Sequence, residues 1–259
     1  MSGRERIVVK VGTSTLTYGT GKTNFRRMEG LVRVMADLQN AGYQMVLVTS
    51  GAIGVGVGKL GLDKRPEDTP GKQAAATVGQ LELMYMYDKF FGECGQKVGQ
   101  LLITRGDMED PARHRNLMSA FERLFDWGVI PIINENDAVA VEEIVYGDND
   151  ALSAHVAVLV GAKKLIILTD IDGFYDKNPA LHPDAKRFEV VEAITPELCA
   201  LARGAGSAMG TGGMETKLKA AKLATGEGID THIISGYAPE AIYRVLEGAQ
   251  MGTWFKAVK

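Results

Sequence analysis

The sequence lacks the features that define several common protein classes. Only two cysteines occur in 259 residues, and Cys94 and Cys199 are far apart and form no CxxC pair. We therefore expect neither a disulfide framework nor a structural zinc site. No apolar run approaches the roughly 20 residues that a transmembrane helix needs. The first residues enter a strand pattern without a signal peptide, so we expect a cytoplasmic location and no membrane partner.

Charge and composition exclude further classes. The net charge is −3 and no long basic run occurs, which disfavours nucleic-acid binding through a phosphate-neutralising surface. The four histidines are scattered and show no HExxH spacing. With 46% hydrophobic and 24% charged residues, the composition is typical of a soluble globular protein. The length suits one large α/β domain or two small ones.

Short apolar runs alternate with amphipathic stretches along the whole chain. The runs are rich in β-branched residues, as in strands buried on both faces, and predict strands at 6–11, 44–50, 98–104, 129–134, 164–170 and 230–235. Helical periodicity lies between them, over 28–42, 72–91, 112–127, 150–161, 214–226 and 239–247. This alternation predicts an α/β fold, a three-layer αβα sandwich around a mostly parallel sheet. The polar stretch 171–190 is typical of a long surface loop or hairpin.

Glycine-rich turns follow several of these strands. In open α/β sheets, ligands bind beyond the carboxyl ends of the strands, and backbone N–H groups in such turns can point at phosphate. The candidate turns are Gly12-Thr13-Ser14, Ser50-Gly51-Ala52 and Gly210-Thr211-Gly212-Gly213. Ordinary turn chemistry is the alternative for each. No Walker A loop is present, and a GxGxxG at 56–61 lies past its strand without the acidic partner of a dinucleotide fingerprint.

Two lysines accompany these turns. Lys10 interrupts an apolar strand, where a charge is costly unless it is paired. We interpret it as facing phosphate oxygens; the alternative is an edge-strand lysine whose ammonium reaches water. Lys217 lies in the first turn of a predicted helix, from which its ammonium can reach back over the 210–213 turn. An ordinary solvated helix lysine is the alternative there.

The segment 134–154 is rich in asparagine and acidic residues. Asn134, Asp137, Asn149 and Asp150 together suit the ammonium of an amino acid, and they suit a phosphate-bearing acceptor poorly. The alternative for Asn149 and Asp150 is N-capping of the helix that starts there. An EF-hand loop is excluded because its glycine and closing glutamate are misplaced. Thr169 and Asp170 end a strand and could meet a nucleotide base or ribose.

Taken together, these motifs resemble those of the glutamate 5-kinase family of the amino acid kinase superfamily. The resemblance spans about residues 6 to 255 and rests on the collinear motifs VVKVGTSTLT, VLVTSGAIGVG, KQAAATVGQLELM, INENDAV, GDNDALSA, LTDIDGFY, GTGGMETKL and GTWF. It implies a single amino acid kinase domain over 1–259. An acceptor-binding half would cover about 1–160 and a nucleotide-binding half about 161–259. The C-terminal PUA domain of many members is expected to be absent.

The resemblance implies an activity and its ligands. The activity is phosphorylation of the L-glutamate γ-carboxylate to L-glutamyl 5-phosphate, the first step of proline biosynthesis, with ATP as co-substrate and Mg²⁺. The resemblance also implies feedback inhibition by proline and assembly into a homodimer or homotetramer. The magnesium is expected to be held largely by nucleotide phosphates and water, so no protein ligand to the metal is named.

The residues and the resemblance together give the expected site. The catalytic positions are Lys10, Lys217 and Asp150. The glutamate-binding positions are Ser50, Gly51, Ala52, Asn134, Asp137 and Asn149. The nucleotide-binding positions are Lys10, Gly12, Thr13, Ser14, Thr169, Asp170, Gly210, Thr211, Gly212, Gly213, Met214, Glu215, Thr216 and Lys217.

The expected mechanism needs no general base. A γ-carboxylate with a reference pKa of about 4.3 is already ionised at neutral pH, so catalysis rests on positioning and charge neutralisation. Lys10 would stabilise the transferring phosphoryl group and Lys217 the β–γ bridge, with Asp150 orienting both. Two alternatives stay open. One is the same fold with another acceptor, as in aspartate, carbamate, UMP or isopentenyl phosphate kinases. The other is a non-catalytic amino-acid or nucleotide sensor.

Overall fold

The computed structural model describes residues 4–18, 22–140, 149–204 and 213–258. Eight strands form one sheet in the order β3-β4-β2-β1-β5-β7-β8-β6. Their bounds are β1 Arg6–Val11, β2 Gln44–Thr49, β3 Lys97–Ile103, β4 Val129–Glu135, β5 Lys164–Thr169, β6 Val190–Val191, β7 Asp230–Ser235 and β8 Thr253–Phe255. The pairings are parallel except for that of β7 with β8. The predicted, mostly parallel sheet is therefore confirmed.

Ten helices are assigned in the same part of the chain. They are α1 Thr13–Leu16, α2 Phe25–Asn40, α3 Ala52–Leu60, α4 Thr69–Glu93, α5 Arg105–Glu109, α6 Pro111–Asp126, α7 Asn149–Leu159, α8 Pro196–Gly204, α9 Met214–Gly226 and α10 Ala241–Leu246. None of these helices is long and apolar enough to cross a bilayer.

Two hydrophobic cores lie on opposite faces of the sheet. Alternate residues of β1 enter different cores: Ile7, Val9 and Val11 pack with α2, α4 and α10, whereas Val8 packs with α6, α7 and α9. This alternation follows from the two-residue period of a strand, and it explains why the strands read as continuously apolar. The sheet is covered on both faces, which confirms the three-layer αβα architecture.

The order of the strands places a topological switch at β1. The chain leaves β1 to one side for β2, β3 and β4, and returns for β5 on the other side of β1. Lys10 is thus flanked by Val48 of β2 and Ile167 of β5. In open α/β sheets a crevice for ligands opens at the carboxyl ends of strands at such a point.

The segment after β2 differs from the sequence expectation. The sequence predicts a glycine turn at 50–52 and no helix after it, but residues 52–60 form helix α3. A Cβ on Gly56 would lie 1.8 Å from the carbonyl oxygen of Ala75, and one on Gly79 would lie 1.8 Å from that of Ala52. The glycines therefore allow α3 and α4 to approach closely. Gly61, with φ +66°, ends α3 in a left-handed conformation, so this GxGxxG serves helix packing and capping.

The six predicted strands are confirmed to within one residue at each end. The short strands β6 and β8 and the helices α1, α5 and α8 were not predicted. The long loop expected at 171–190 is confirmed as a hairpin-like connection. In it Tyr175 bridges to Arg187 in antiparallel fashion, and Phe174 stacks on Phe188 with ring centroids 5.2 Å apart.

Candidate active site

Three buried charged side chains meet at the carboxyl end of β1. Lys10 lies on β1, Asp150 in the first turn of α7 and Lys217 in the first turn of α9. The Nζ of Lys10 is 2.6 Å from Oδ1 of Asp150, and the Nζ of Lys217 is 3.2 Å from Oδ2 of the same carboxylate. The exposed fractions of Lys10, Asp150 and Lys217 are 2%, 0% and 6%. The lysines that the sequence marked are therefore neither edge-strand nor surface lysines.

The position of Lys10 follows from the alternation along β1. Lys10 projects from the same face as Val8, which packs under α7 and α9. A charged group buried there requires a counter-charge, and Asp150 supplies one. The carboxylate is held further by the hydroxyl of Thr216, which donates to Oδ2 at 2.9 Å. Two ammonium groups thus converge on one carboxylate, an arrangement that concentrates positive charge where a phosphoryl group could be stabilised.

A second, uncharged network begins one residue before Asp150. The Nδ2 of Asn149 donates to the backbone carbonyl of Thr49, to Oγ of Ser50 at 3.0 Å and to Oδ1 of Asn134 at 2.7 Å. Asn134 donates in turn from Nδ2 to Oε1 of Gln80 at 2.7 Å. These bonds connect α7 to the ends of β2 and β4 and to α4. The sequence predicted three of the four side chains and missed Gln80.

The turns after β1 and β2 lie side by side. Gly12 caps α1, and a Cβ added to it would lie 3.7 Å from Nζ of Lys10. Gly51 has φ +106°, a conformation that favours glycine, and a Cβ there would lie 3.8 Å from the side chain of Thr13. Thr13 and Ser14 are exposed on α1, and Ala52 begins α3. The expected anion-binding turns are therefore adjacent at the same edge of the sheet.

The third turn is described only in part. Gly210, Thr211 and Gly212 lie outside the described residues, and Gly213 is the N-cap of α9. Met214 packs against the core beneath α9. The carboxylate of Glu215 pairs with Lys219 at 2.9 Å and with Arg203 at 3.3 Å, so its side chain is engaged by surface cations.

Thr169 and Asp170 follow β5, the strand next to β1. The Thr169 hydroxyl donates to Oδ1 of Asp170 at 3.1 Å, and the Thr169 carbonyl accepts from the amide of Gly236 at 2.7 Å. These two residues thus lie at the carboxyl edge of the sheet, as the sequence indicated.

A cavity of about 260 Å³ adjoins the amide network. Two of the residues expected to bind the acceptor, Ala52 and Asp137, line this cavity together with Gln80. Its wall is formed by the end of β4, by β3, by α4 and by the start of α3, through Ala52, Ala76, Thr77, Gln80, Leu81, Gln100, Leu102, Glu135, Asn136, Asp137 and Ala138. The contributions of Thr77 and Gln80 were not predicted, although both lie in the KQAAATVGQLELM segment.

Across residues 4–18, 22–140, 149–204 and 213–258, no group of three or more His, Cys, Asp or Glu side chains is arranged to hold a metal ion. The Asp150 carboxylate is engaged by two lysines and a threonine hydroxyl.

The model of the amino acid kinase family matches residues 5–235, and the chain belongs to this family. Solved structures share the fold at low sequence identity. A carbamate kinase from Giardia lamblia bound to AMP-PNP has a TM-score of 0.68 at 19% identity, covering 99% of each chain. UMP kinase from Ureaplasma parvum also has a TM-score of 0.68, at 15% identity, over 98% of this chain and 99% of that chain.

Among curated proteins the chain is similar to glutamate 5-kinases. It is 52% identical over 255 residues to the glutamate 5-kinase of Clostridium tetani, covering 98% of this chain and 96% of that protein. It is 53% identical over 259 residues to that of Clostridium perfringens, with the same two coverages. The glutamate 5-kinase of Listeria monocytogenes is 51% identical over 263 residues, covering 100% of this chain and 95% of the relative.

Proposed function

We propose that this chain is the kinase that transfers the γ-phosphate of ATP to the γ-carboxylate of L-glutamate. The product is L-glutamyl 5-phosphate, and the reaction is the first step of proline biosynthesis. The observation that carries this function is the pair of buried lysines on Asp150, directly beside an amide network suited to an amino acid. Identities above 50% to glutamate 5-kinases over nearly the whole chain support the choice of acceptor.

The reaction brings together two anions. The glutamate γ-carboxylate is ionised at neutral pH because its reference pKa is about 4.3, so it attacks without a general base. The barrier lies in bringing it to the negatively charged γ-phosphate. Positive charge fixed in a water-poor site lowers this barrier more than the same charge in water, because the local dielectric is low.

Each charged residue has a role that matches its position. Lys10 lies at the end of the central strand beside the Gly12 turn, where it stabilises the transferring phosphoryl group. Lys217 lies in the first turn of α9, four residues after the N-cap Gly213, and stabilises the bridging oxygen between the β- and γ-phosphates. Asp150 holds both ammonium groups in place from buried α7, and Thr216 holds Asp150.

Glutamate binds beside this cluster. Ser50, Asn134, Asp137 and Asn149 surround it with hydrogen-bonding groups, and the carboxylate of Asp137 suits its α-ammonium. The Nδ2 group of Asn149 donates to three oxygens of the protein. Its side-chain carbonyl oxygen can then accept a hydrogen bond from the ammonium of glutamate. The turn amides at 50–52 complete the acceptor end of the site.

ATP binds over the C-terminal half of the sheet edge. The turns at 12–14 and 210–213, the first turn of α9 and Thr169-Asp170 meet the nucleotide. When bound, Mg²⁺ would neutralise charge on the phosphates and would be held largely by phosphate oxygens and water, since Asp150 is engaged by Lys10, Lys217 and Thr216. One domain, 1–259, then carries an acceptor half of about 1–160 and a nucleotide half of about 161–259.

Regulation and assembly follow the same proposal. Proline carries the α-amino acid group of glutamate and would inhibit by occupying the acceptor end of the site. We further propose a homodimer or homotetramer in the cytoplasm, where ATP and glutamate are available.

ADP release from Mg-ATP tests the function, with glutamate, aspartate, carbamate or UMP as acceptor. We expect strong turnover with glutamate, inhibition by proline, and trapping of the acyl phosphate as a hydroxamate by hydroxylamine. Lys217→Ala should abolish turnover, whereas Lys219→Ala, on the same helix but exposed and paired with Glu215, should keep it. Turnover with another acceptor alone, or none with any acceptor, would contradict the proposal; the latter result would favour a sensor.

A further inference from the structure

The amide network has a fixed polarity. The Thr49 carbonyl can only accept a hydrogen bond, so the atom of Asn149 that faces it must be Nδ2. The backbone N–H of Glu135 can only donate, and it lies 2.9 Å from Oδ1 of Asn134. Asn134 must then present Nδ2 to Gln80, which accepts through Oε1. Backbone groups at two points of the network therefore determine the orientation of all three amides.

This polarity leaves the amino group of Gln80 at the end of the chain of hydrogen bonds. Its Nε2 is shielded from solvent and has no hydrogen-bond partner among the residues that the structure describes. A buried donor without an acceptor is destabilising, and most such groups in proteins are paired. Gln80 forms part of the wall of the 260 Å³ cavity next to Asp137. An acceptor that comes from outside the chain would satisfy this donor.

We infer that Gln80 is a specificity-determining residue whose Nε2 donates to the α-carboxylate of the amino-acid acceptor; this inference rests on the proposed function. The γ-carboxylate must lie at the Lys10–Asp150–Lys217 cluster. Asn149 adjoins that cluster, and two hydrogen bonds lead from it through Asn134 to Gln80. Gln80 thus lies at the far end of the network, where the α-carbon end of the substrate belongs.

The cavity wall carries groups for both charges of an α-amino acid. The carboxylates of Asp137 and Glu135 suit the α-ammonium, and they would repel a carboxylate placed against them. The Gln80 amino group is a donor on the same wall. It therefore distinguishes an acceptor with an α-carboxylate from a simple amine or a simple carboxylic acid.

Gln80→Glu tests this role with little change in shape. A glutamate at position 80 can still accept from Nδ2 of Asn134, but it replaces the donor at the cavity with a negatively charged oxygen. Gln100→Glu is the matched control, because Gln100 lines the same cavity from β3, is exposed, and takes no part in the amide network. Both variants add one negative charge to the cavity wall.

We expect Gln80→Glu to raise the KM for glutamate by about 10- to 100-fold, the range for losing a hydrogen bond to a charged group. The KM for ATP should stay unchanged, and Gln100→Glu should raise the glutamate KM less than about 3-fold, as expected of an exposed charge. Equal glutamate KM values for the two variants, or a fall in kcat alone, would overturn the inference while the proposed function stands. Absence of glutamate turnover in the unmodified chain would overturn both.

Discussion

Asp150→Asn should destabilise the protein strongly in the absence of ligands. The substitution keeps the shape of the side chain but removes the negative charge on which two buried ammonium groups converge, at 2.6 and 3.2 Å. The carboxylate is fully buried, so water cannot replace it. Breaking a buried ion pair by removing one partner costs about 3–5 kcal/mol. For a chain of this size, that loss lowers the thermal midpoint by roughly 6–20 °C.

Asp126→Asn provides the matched control. Asp126 pairs with Arg123 on the surface of α6 at 3.8 Å, and both side chains are mostly exposed. Because water and salt screen such a pair, its loss costs at most about 1 kcal/mol. The same chemical change at the two positions therefore separates the effect of burial from that of the substitution itself.

Ligand dependence makes the test specific to the site. An anion bound near Lys10 and Lys217 would partly replace the missing carboxylate, so Mg-ATP should raise the thermal midpoint of Asp150→Asn more than that of the unmodified chain. The measurement is thermal unfolding of the three proteins with and without Mg-ATP. A thermal midpoint of Asp150→Asn within 2 °C of the unmodified chain would contradict a large cost of the unpaired ammonium groups. A gain from Mg-ATP no larger than that of the Asp126→Asn control would contradict binding of the phosphates beside Lys10 and Lys217.

Three further predictions concern other parts of the molecule. Lys10→Ala should reduce kcat by about 10²–10³-fold, the range for losing one transition-state stabilising group, with little change in the glutamate KM; near-normal turnover would exclude this role. Gly79→Ala should lower stability by about 1–3 kcal/mol in urea unfolding because its methyl group would overlap the Ala52 carbonyl; an unchanged midpoint would show that α3 and α4 can separate freely. Burial lowers the pKa of His232 to about 4, whereas the unfolded chain takes up the proton near pH 6.5. Stability should therefore fall as the pH drops from about 6.5 to 4, by up to about 3 kcal/mol, and His232→Phe should flatten this part of the pH–stability curve; parallel curves would contradict the assignment.

Five of the six predicted strands, all except the edge strand β3, could be predicted because they are buried on both faces. In RIVVKV the buried part, from Ile7 to Val11, is apolar except for Lys10, which pairs with the buried Asp150. Local pattern and burial agree in such segments, so the sequence alone is sufficient. The lysine was recognisable for the same reason: a charge in a buried strand needs a partner.

Helix α3 and Gln80 could not be predicted in this way. Glycine has a low helix propensity, so 52–60 does not resemble a helix in sequence, and its glycines serve the close packing of α3 on α4. Gln80 lies in an ordinary helical pattern. Its importance depends on a partner, Asn134, that is 54 residues away. Tertiary packing decides both cases, and a local pattern does not contain that information.

The start of α7 shows how closely the two halves of the site are connected. Consecutive residues of an α-helix point about 100° apart, and Asn149 and Asp150 use this divergence. Asn149 bonds toward β2 and β4, the proposed acceptor side, and Asp150 bonds to β1 and α9, the proposed phosphoryl-transfer side. The sequence allowed both residues to be simple helix caps, but their bonds to distant elements give them a different role. If the proposed function holds, two adjacent residues of one helix contact both ends of the reaction, and the backbone of α7 then sets the distance between the acceptor and the transferring phosphoryl group.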